Sequence, residues 1–94
     1  MKINFYATLR QVVGGKTIEL DLPTPVTVQH MLAALLVRFP GLRHELIAPD
    51  GALYPHVHVF INGRDVQYLA DSLDTALGPA DTVNIFPPVG GGAQ

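Results

Sequence analysis

Two stretches near the N-terminus alternate apolar and polar residues with a period of two, the pattern of β-strands that bury one face. The first is residues 2–7, with an apolar face and a polar face formed by Ile3, Phe5 and Ala7 and by Lys2, Asn4 and Tyr6. The second is residues 16–22, in which Ile18, Leu20 and Leu22 form the apolar face. Gly14-Gly15 lies between them as turn material, so the pattern predicts a hairpin with a long loop.

The middle of the chain changes to a helical period. The apolar stripe expected to face the core consists of Val28, Met31, Leu32, Leu35, Leu36 and Phe39. We predict a helix over about residues 28–38, with Thr27 as its N-cap and Pro40-Gly41 ending it. A short irregular or helical return is expected after it, from the apolar spacing of Leu42, Leu46 and Ile47.

The period of two returns in the last third of the chain. Residues 57–61 predict a strand with Val57, Val59 and Ile61 inward, and Asn62-Gly63 predicts a tight hairpin to residues 64–68. Leu73 and Leu77 have the spacing of one helical turn, and the Gly78–Asp81 segment reads as a turn. Residues 82–86 predict the last strand, which Pro87 and Pro88 end because proline has no N–H to donate.

This order of elements predicts an α+β fold of the β-grasp (ubiquitin-like) type. One main helix would pack on one face of a mixed sheet of four to five strands, with the last strand beside the first. The expected division is a β-grasp domain over residues 1–87 and a flexible tail over residues 88–94. On that sheet His56, His58 and Phe60 are expected on the outer face, away from the helix, and Phe86 at the base of the tail. We predict Phe60 and Phe86 as partner-binding residues.

Composition narrows the function classes. The chain has 94 residues, no cysteine and a formal net charge of −2. Interspersed acids and bases give no electrostatic case for nucleic acid, no apolar run suggests a membrane span, and the N-terminus lacks a signal-peptide pattern. A cytoplasmic protein is therefore expected. Without cysteine, the chain has no thiolate nucleophile and cannot hold sulfur as a persulfide.

Three candidate chemistries fail on sequence grounds. The segment GGKT at residues 14–17 lacks the earlier glycine of a phosphate-binding loop, and its lysine opens a strand pattern instead of a helix. His56 and His58 form an H-x-H pair, but His30 and His44 are not spaced to complete a metal site. Ser72 has no nucleophile-elbow glycines around it. We therefore expect no metal site, no catalytic residues and no enzyme acting alone.

The C-terminal segment FPPVGGG carries the strongest functional signal. Pro87-Pro88 favours an extended polyproline II conformation, in which residues 87–92 would reach roughly 19 Å. Such a segment has a stiff base and a slender glycine tip, because glycine lets a partner backbone approach closely. This combination suits insertion into a narrow pocket of another protein.

The chain resembles the MoaD/ThiS family of ubiquitin-like sulfur carriers, which includes the small subunits of molybdopterin synthase. The resemblance rests on FYATLRQVVG near the N-terminus, VFINGRDV at the hairpin and DTVNIFPPVGGG at residues 81–92. The Phe-Pro-Pro-Val sequence favours the molybdopterin branch. The resemblance implies a carrier with no bound cofactor, whose Gly92 carboxylate is adenylated by a ubiquitin-activating-type enzyme that uses ATP. A thiocarboxylate at Gly92 would then deliver sulfur to a pterin precursor inside the large synthase subunit.

The same resemblance assigns the remaining residues of the tail, namely Pro87, Pro88, Val89, Gly90 and Gly91, to insertion into the partner. Ala93-Gln94 follow the Gly91-Gly92 pair, where the family pattern ends. In this sequence the Gly92 carbonyl is part of a peptide bond and cannot be adenylated. We expect a peptidase to remove Ala93-Gln94 before sulfur carriage. The alternatives are a non-reactive β-grasp adaptor and a protein modifier joined to lysines through the processed glycine.

Overall fold

The computed structural model describes residues 1–88. Its strands are β1 (Lys2–Phe5), β2 (Thr17–Glu19), β3 (Val26–Thr27), β4 (His58–Ile61), β5 (Arg64–Asp65), β6 (Ala76–Leu77) and β7 (Val83–Phe86). Its α-helices are α1 (Leu9–Val13), α2 (Val28–Arg38) and α3 (Leu42–Leu46), with two short 3₁₀ helices at Val66–Tyr68 and Ser72–Asp74.

Five of the strands form one mixed sheet in the order β2-β1-β7-β4-β5. β1 and β7 run parallel in its centre, with Phe5 opposite Ile85, and the other pairings are antiparallel. The last strand therefore lies beside the first, as predicted, and the β-grasp prediction is confirmed. Because β1 and β7 are parallel, their C-terminal ends lie at the same end of the sheet, and the chain leaves β7 there.

The core lies between α2 and one face of the sheet. It holds fully buried side chains from both layers, among them Ile3, Phe5, Met31, Leu35, Val83 and Ile85. Thr27 caps α2 as predicted, since its hydroxyl oxygen accepts a hydrogen bond from the His30 N–H at 3.1 Å. The apolar stripe of α2 is buried up to Leu35, whereas Leu36 and Phe39 are only partly buried.

Several element boundaries differ from the predictions. The first strand ends at Phe5, and the predicted long loop contains α1, which buries Leu9 against the core. The second strand covers only Thr17–Glu19, and the predicted strand at residues 64–68 becomes β5 followed by a 3₁₀ turn. The predicted helical turn from Leu73 to Leu77 is wrong at its end, because Leu77 lies in β6, which pairs with β3. Pairing with β3 satisfies the backbone there and buries Leu77 completely.

The two turns that frame the last strand follow their sequence signals. Asn62 and Gly63 have φ angles of 53° and 84°, the left-handed conformation that a two-residue hairpin requires. The Asn62 side chain also donates to Asp81 Oδ1 at 2.9 Å and accepts from the Thr82 N–H at 3.0 Å. These bonds tie the β4–β5 hairpin to the start of β7. Within residues 1–88, no helix is long and apolar enough to cross a membrane.

Candidate functional site

Strand alternation exposes a row of aromatic residues on the sheet face opposite α2. In β4 and β7, Val59 and Ile85 point into the core, so Phe60 and Phe86 take the outer face. Tyr6 follows the end of β1 and lies level with Phe86, because Phe5 pairs with Ile85. We call Tyr6, His58, Phe60 and Phe86 the aromatic face.

The rings of the aromatic face contact one another directly. Tyr6 stacks on Phe86 with ring centroids 4.1 Å apart and an angle of 9° between the planes. Phe60 meets Phe86 edge-on, with centroids 5.5 Å apart. Aromatic pairs in such geometries contribute about 0.5–1.5 kcal/mol beyond simple burial. Phe86 is therefore the central ring of the cluster, and all three rings remain partly exposed to a partner.

A polar network fixes the Tyr6 edge of the aromatic face. The Asn84 side-chain oxygen accepts hydrogen bonds from the Tyr6 hydroxyl at 2.8 Å and from the Asn4 amide at 3.0 Å. The Thr17 hydroxyl in turn donates to the Asn4 side-chain oxygen at 2.8 Å. The network crosses β2, β1 and β7, so the position of the Tyr6 ring is set by three strands.

Arg10 of α1 completes this edge. Its Nε donates to the Phe5 carbonyl oxygen at 2.9 Å, and its Cζ lies 5.3 Å from the centroid of the Tyr6 ring. A guanidinium at this distance is attracted by the negative face of the ring. The unpredicted helix α1 thus places a cation beside the aromatic face.

The opposite edge is formed by His58 and Asp65. His58 Nδ1 and Asp65 Oδ2 are 2.7 Å apart across the β4–β5 pair. Burial alone would raise the pKa of Asp65, but hydrogen bonds from the Gln67 N–H, from His58 and from the Gln67 side chain outweigh it and lower that pKa. An ionised carboxylate only accepts hydrogen bonds, so Nδ1 of His58 is the donor. The pair orients the His58 ring beside Phe60.

The chain leaves the aromatic face through Pro87 and Pro88. Pro87 is buried against the body of the protein and Pro88 is exposed, so a partner that covers Phe86 also meets the start of the tail. The predicted tail residues Val89, Gly90 and Gly91 and the predicted reactive residue Gly92 lie outside the described residues. Their assigned roles stay predictions.

The structure separates the two histidines that the sequence places on one strand face. His58 lies on the outer face, but β4 begins at His58, and His56 lies in the turn before it. His56 instead lines an open depression of about 320 Å³ with His44, Tyr54 and Pro88. The prediction for His56 was wrong because Pro55 and His56 form a turn that delays the start of the strand. Residues 1–88 contain no group of three or more His, Asp or Glu placed to hold a metal ion.

Phe60 lies on the outer face and Phe86 at the base of the tail, as predicted, whereas sequence analysis did not select Tyr6, Arg10 or Asp65. Tyr6 could have been selected from the sequence. The alternating pattern places it on the outer face of the first strand, and that strand was predicted to lie beside the last. Asp65 could also have been selected, because the Asn62-Gly63 hairpin places residue 65 opposite residue 60. Arg10 could not have been selected, since its position depends on the unpredicted helix α1.

The comparisons with known proteins agree on one family. A model described as the ThiS family matches residues 3–92. Small archaeal modifier protein 3 of Haloferax volcanii is 44% identical over 92 residues, covering 98% of both chains. The sulfur carrier protein CysO of Mycobacterium tuberculosis is 31% identical over 68 residues, covering 70% of this chain and 72% of CysO.

Solved structures give the same result for the fold. The crystal structure of SAMP1 from Haloferax volcanii has a TM-score of 0.81 at 34% identity, with 97% of both chains covered. A Pyrococcus furiosus protein provisionally named molybdopterin converting factor, subunit 1, has a TM-score of 0.73 at 28% identity, covering 94% of this chain and 95% of that one. Of these four proteins, the small archaeal modifiers share more sequence identity with this chain than the protein with a molybdopterin name does.

Proposed function

This chain belongs to the ThiS family of ubiquitin-like proteins, and on that premise we propose that it is a protein modifier joined through Gly92 to lysine amines of other proteins. The 44% identity to a small archaeal modifier over almost the whole length supports this choice. The expectation of a molybdopterin carrier has weaker support, because the similarity to a protein with that name is 28%. We therefore rank the modifier first.

The observation that carries the proposal is the aromatic face at the base of the tail. Aromatic side chains, Phe among them, are enriched in the cores of protein interfaces, where a few residues carry most of the binding energy. Phe86 contacts both Tyr6 and Phe60 and is directly followed by Pro87, which is packed against the body of the protein. A partner that binds this face therefore also contacts Pro87, the residue from which the chain continues toward Gly92.

The proposed partner is an adenylating enzyme of the ubiquitin-activating type. A peptidase first releases the Gly92 carboxylate from the residues that follow it in the sequence. A carboxylate oxygen then attacks the α-phosphorus of ATP held by the activating enzyme, and pyrophosphate leaves. A lysine amine attacks the resulting acyl adenylate directly or after transfer of the acyl group to a thiol of a partner. This chain supplies a docking surface and an unhindered glycine, and it is a carrier or modifier instead of a catalyst. We place the reaction in the cytoplasm, where ATP is available to the activating enzyme.

Sulfur carriage is the second candidate, favoured by the similarity to CysO. The same acyl adenylate can accept sulfur to give a thiocarboxylate at Gly92. In this version the large subunit of molybdopterin synthase is one proposed receiver of the sulfur. Both candidates use the aromatic face and Gly92, and they differ in the nucleophile that takes the acyl group.

Two forms of the chain test the proposal in native cells from which the chain's own gene has been deleted. One form ends at Gly92 and the matched control ends at Gly90, with the described part of the molecule unchanged. After extraction under denaturing conditions, an antibody against the chain is expected to detect a series of larger conjugates only for the form that ends at Gly92. Equal patterns for both forms would show that Gly92 is not the attachment point. A free chain bearing sulfur, without conjugates, would favour the second candidate.

A further inference from the structure

The chain contains two lysines, Lys2 and Lys16. Both are exposed, and they lie at opposite ends of the β1–β2 pair. An isopeptide bond needs a lysine amine, so these are the two lysines at which one copy of this chain could receive the glycine of another. The two lysines differ in their distance from the aromatic face.

Lys16 lies at the end of the sheet where β1 and β7 finish and the tail begins. Its carbonyl oxygen accepts a hydrogen bond from the Phe5 N–H at 2.7 Å, which fixes it level with the ends of β1 and β7. Its side chain lines an open depression of about 310 Å³ together with Asn4, Phe5, Tyr6, Arg10 and Thr17. The depression borders the aromatic face through Tyr6, so a chain entering it approaches along a surface already suited to binding.

The charge of this depression is positive. Arg10 is held in place by the Phe5 carbonyl and the Tyr6 ring, and no Asp or Glu lines the depression. Neither Lys16 nor Arg10 forms an ion pair with another residue of the described part of the chain. An acyl adenylate carries a negative phosphate next to the reactive carbonyl, so two unpaired cations attract this form of the donor.

Lys2 lies at the other end of the β1–β2 pair. It pairs in register with Glu19 on β2, far from the end where the tail begins. The Met1 amino group donates a hydrogen bond to Glu19 Oε2, and this bond, with a weaker attraction from Lys2, lowers the pKa of Glu19. The carboxylate is therefore ionised near neutral pH. The Met1 ammonium balances this charge, and the Arg38 guanidinium lies close by, since its Nη1 donates to the Glu19 carbonyl oxygen at 2.8 Å. Charge therefore does not set Lys2 apart from Lys16, whereas its distance from the aromatic face does.

We propose that Lys16 is an acceptor site at which a second copy of this chain is attached through its Gly92. The proposal rests on the modifier function argued above. The neutral Nζ of Lys16 attacks the Gly92 carbonyl carbon of the acyl adenylate, and a C–N bond forms. The bond from that carbon to the phosphate oxygen breaks, AMP leaves, and the proton lost from Nζ passes to solvent.

Lysine-to-arginine variants that replace the chain's own gene in the native cells test this, because arginine keeps the charge but cannot accept the acyl group. Trypsin cuts after Arg64, the last basic residue before Gly92, so a joined copy leaves a branch that begins at Asp65. We expect this branch on Lys16 in the unaltered chain and in Lys2→Arg, and its loss in Lys16→Arg. Branches on other proteins or on Lys2, without any on Lys16, would overturn the proposal and leave the modifier function standing. Absence of the branch from every lysine of every protein would defeat both.

Discussion

Replacing Phe86 with alanine removes the central ring of the aromatic face and tests both its structural and its binding role. The ring stacks on Tyr6 at 4.1 Å and meets Phe60 edge-on at 5.5 Å. Two aromatic contacts of about 0.5–1.5 kcal/mol each predict a loss of roughly 1–3 kcal/mol in the free energy of unfolding. The ring is only partly buried, so the loss stays below the 3–5 kcal/mol typical of a Phe in a core.

Urea denaturation measures this loss as a lower midpoint at unchanged slope. Tyr68→Ala is the matched control, because Tyr68 is 77% exposed and lies outside the aromatic face. It is expected to change stability by less than about 0.5 kcal/mol. In calorimetric titration with the activating enzyme, Phe86→Ala is expected to weaken binding by about 1–3 kcal/mol, as for a hot-spot residue. Wild-type stability and wild-type affinity in Phe86→Ala would refute the reasoning about the aromatic face.

Three further predictions concern the fold that holds this face. Leu35→Ala on α2 is expected to cost about 2–5 kcal/mol in urea denaturation, because Leu35 is fully buried, whereas Val37→Ala on the same helix, 82% exposed, is expected to stay within about 0.5 kcal/mol. Thr27→Ala removes the N-cap bond to the His30 N–H and is expected to lower the thermal midpoint through a loss of about 0.5–2 kcal/mol; an unchanged midpoint would contradict the capping role. The pKa of Asp65 is lowered in the folded state, so its ionised form stabilises the fold above the unfolded pKa of about 3.9, and this stabilisation disappears as pH falls through the folded value. The stability difference between wild type and Asp65→Asn, measured by urea titration from pH 6 downward, should therefore shrink on acidification, and a constant difference would show that the hydrogen bonds to Asp65 do not favour its charged form.

The sequence predicted the sheet, α2 and the order of strands because these elements bury long periodic stripes. The five-residue helix α1 escaped because Leu9 is its only buried residue, too little for a recognisable stripe. The two-residue strands β3 and β6 escaped for a different reason: their pairing joins segments some fifty positions apart, and Val26 and Leu77 carry no local signal of it.

Some positions of the candidate site could be predicted from the local sequence pattern, and others depend on tertiary structure. The outward positions of Phe60 and Phe86 follow from strand parity alone. The contact of Tyr6 with Phe86 depends on the parallel pairing of β1 and β7, and the position of Arg10 depends on the unpredicted helix. A contact between side chains on two strands depends on which strands are neighbours in the sheet. Such contacts could therefore be predicted from the sequence only where the strand order had been predicted.

The most direct test of the modifier function is mass spectrometry of the chain isolated from its native cells under denaturing conditions. The account predicts peptides in which the segment from Asp65 to Gly92 is joined by an isopeptide bond to lysines of other proteins. Recovery of the chain only with Ala93 still bonded to Gly92 would contradict it. Recovery of a free Gly92 end in which sulfur replaces one carboxylate oxygen, with no lysine conjugates, would contradict the modifier function and support sulfur carriage.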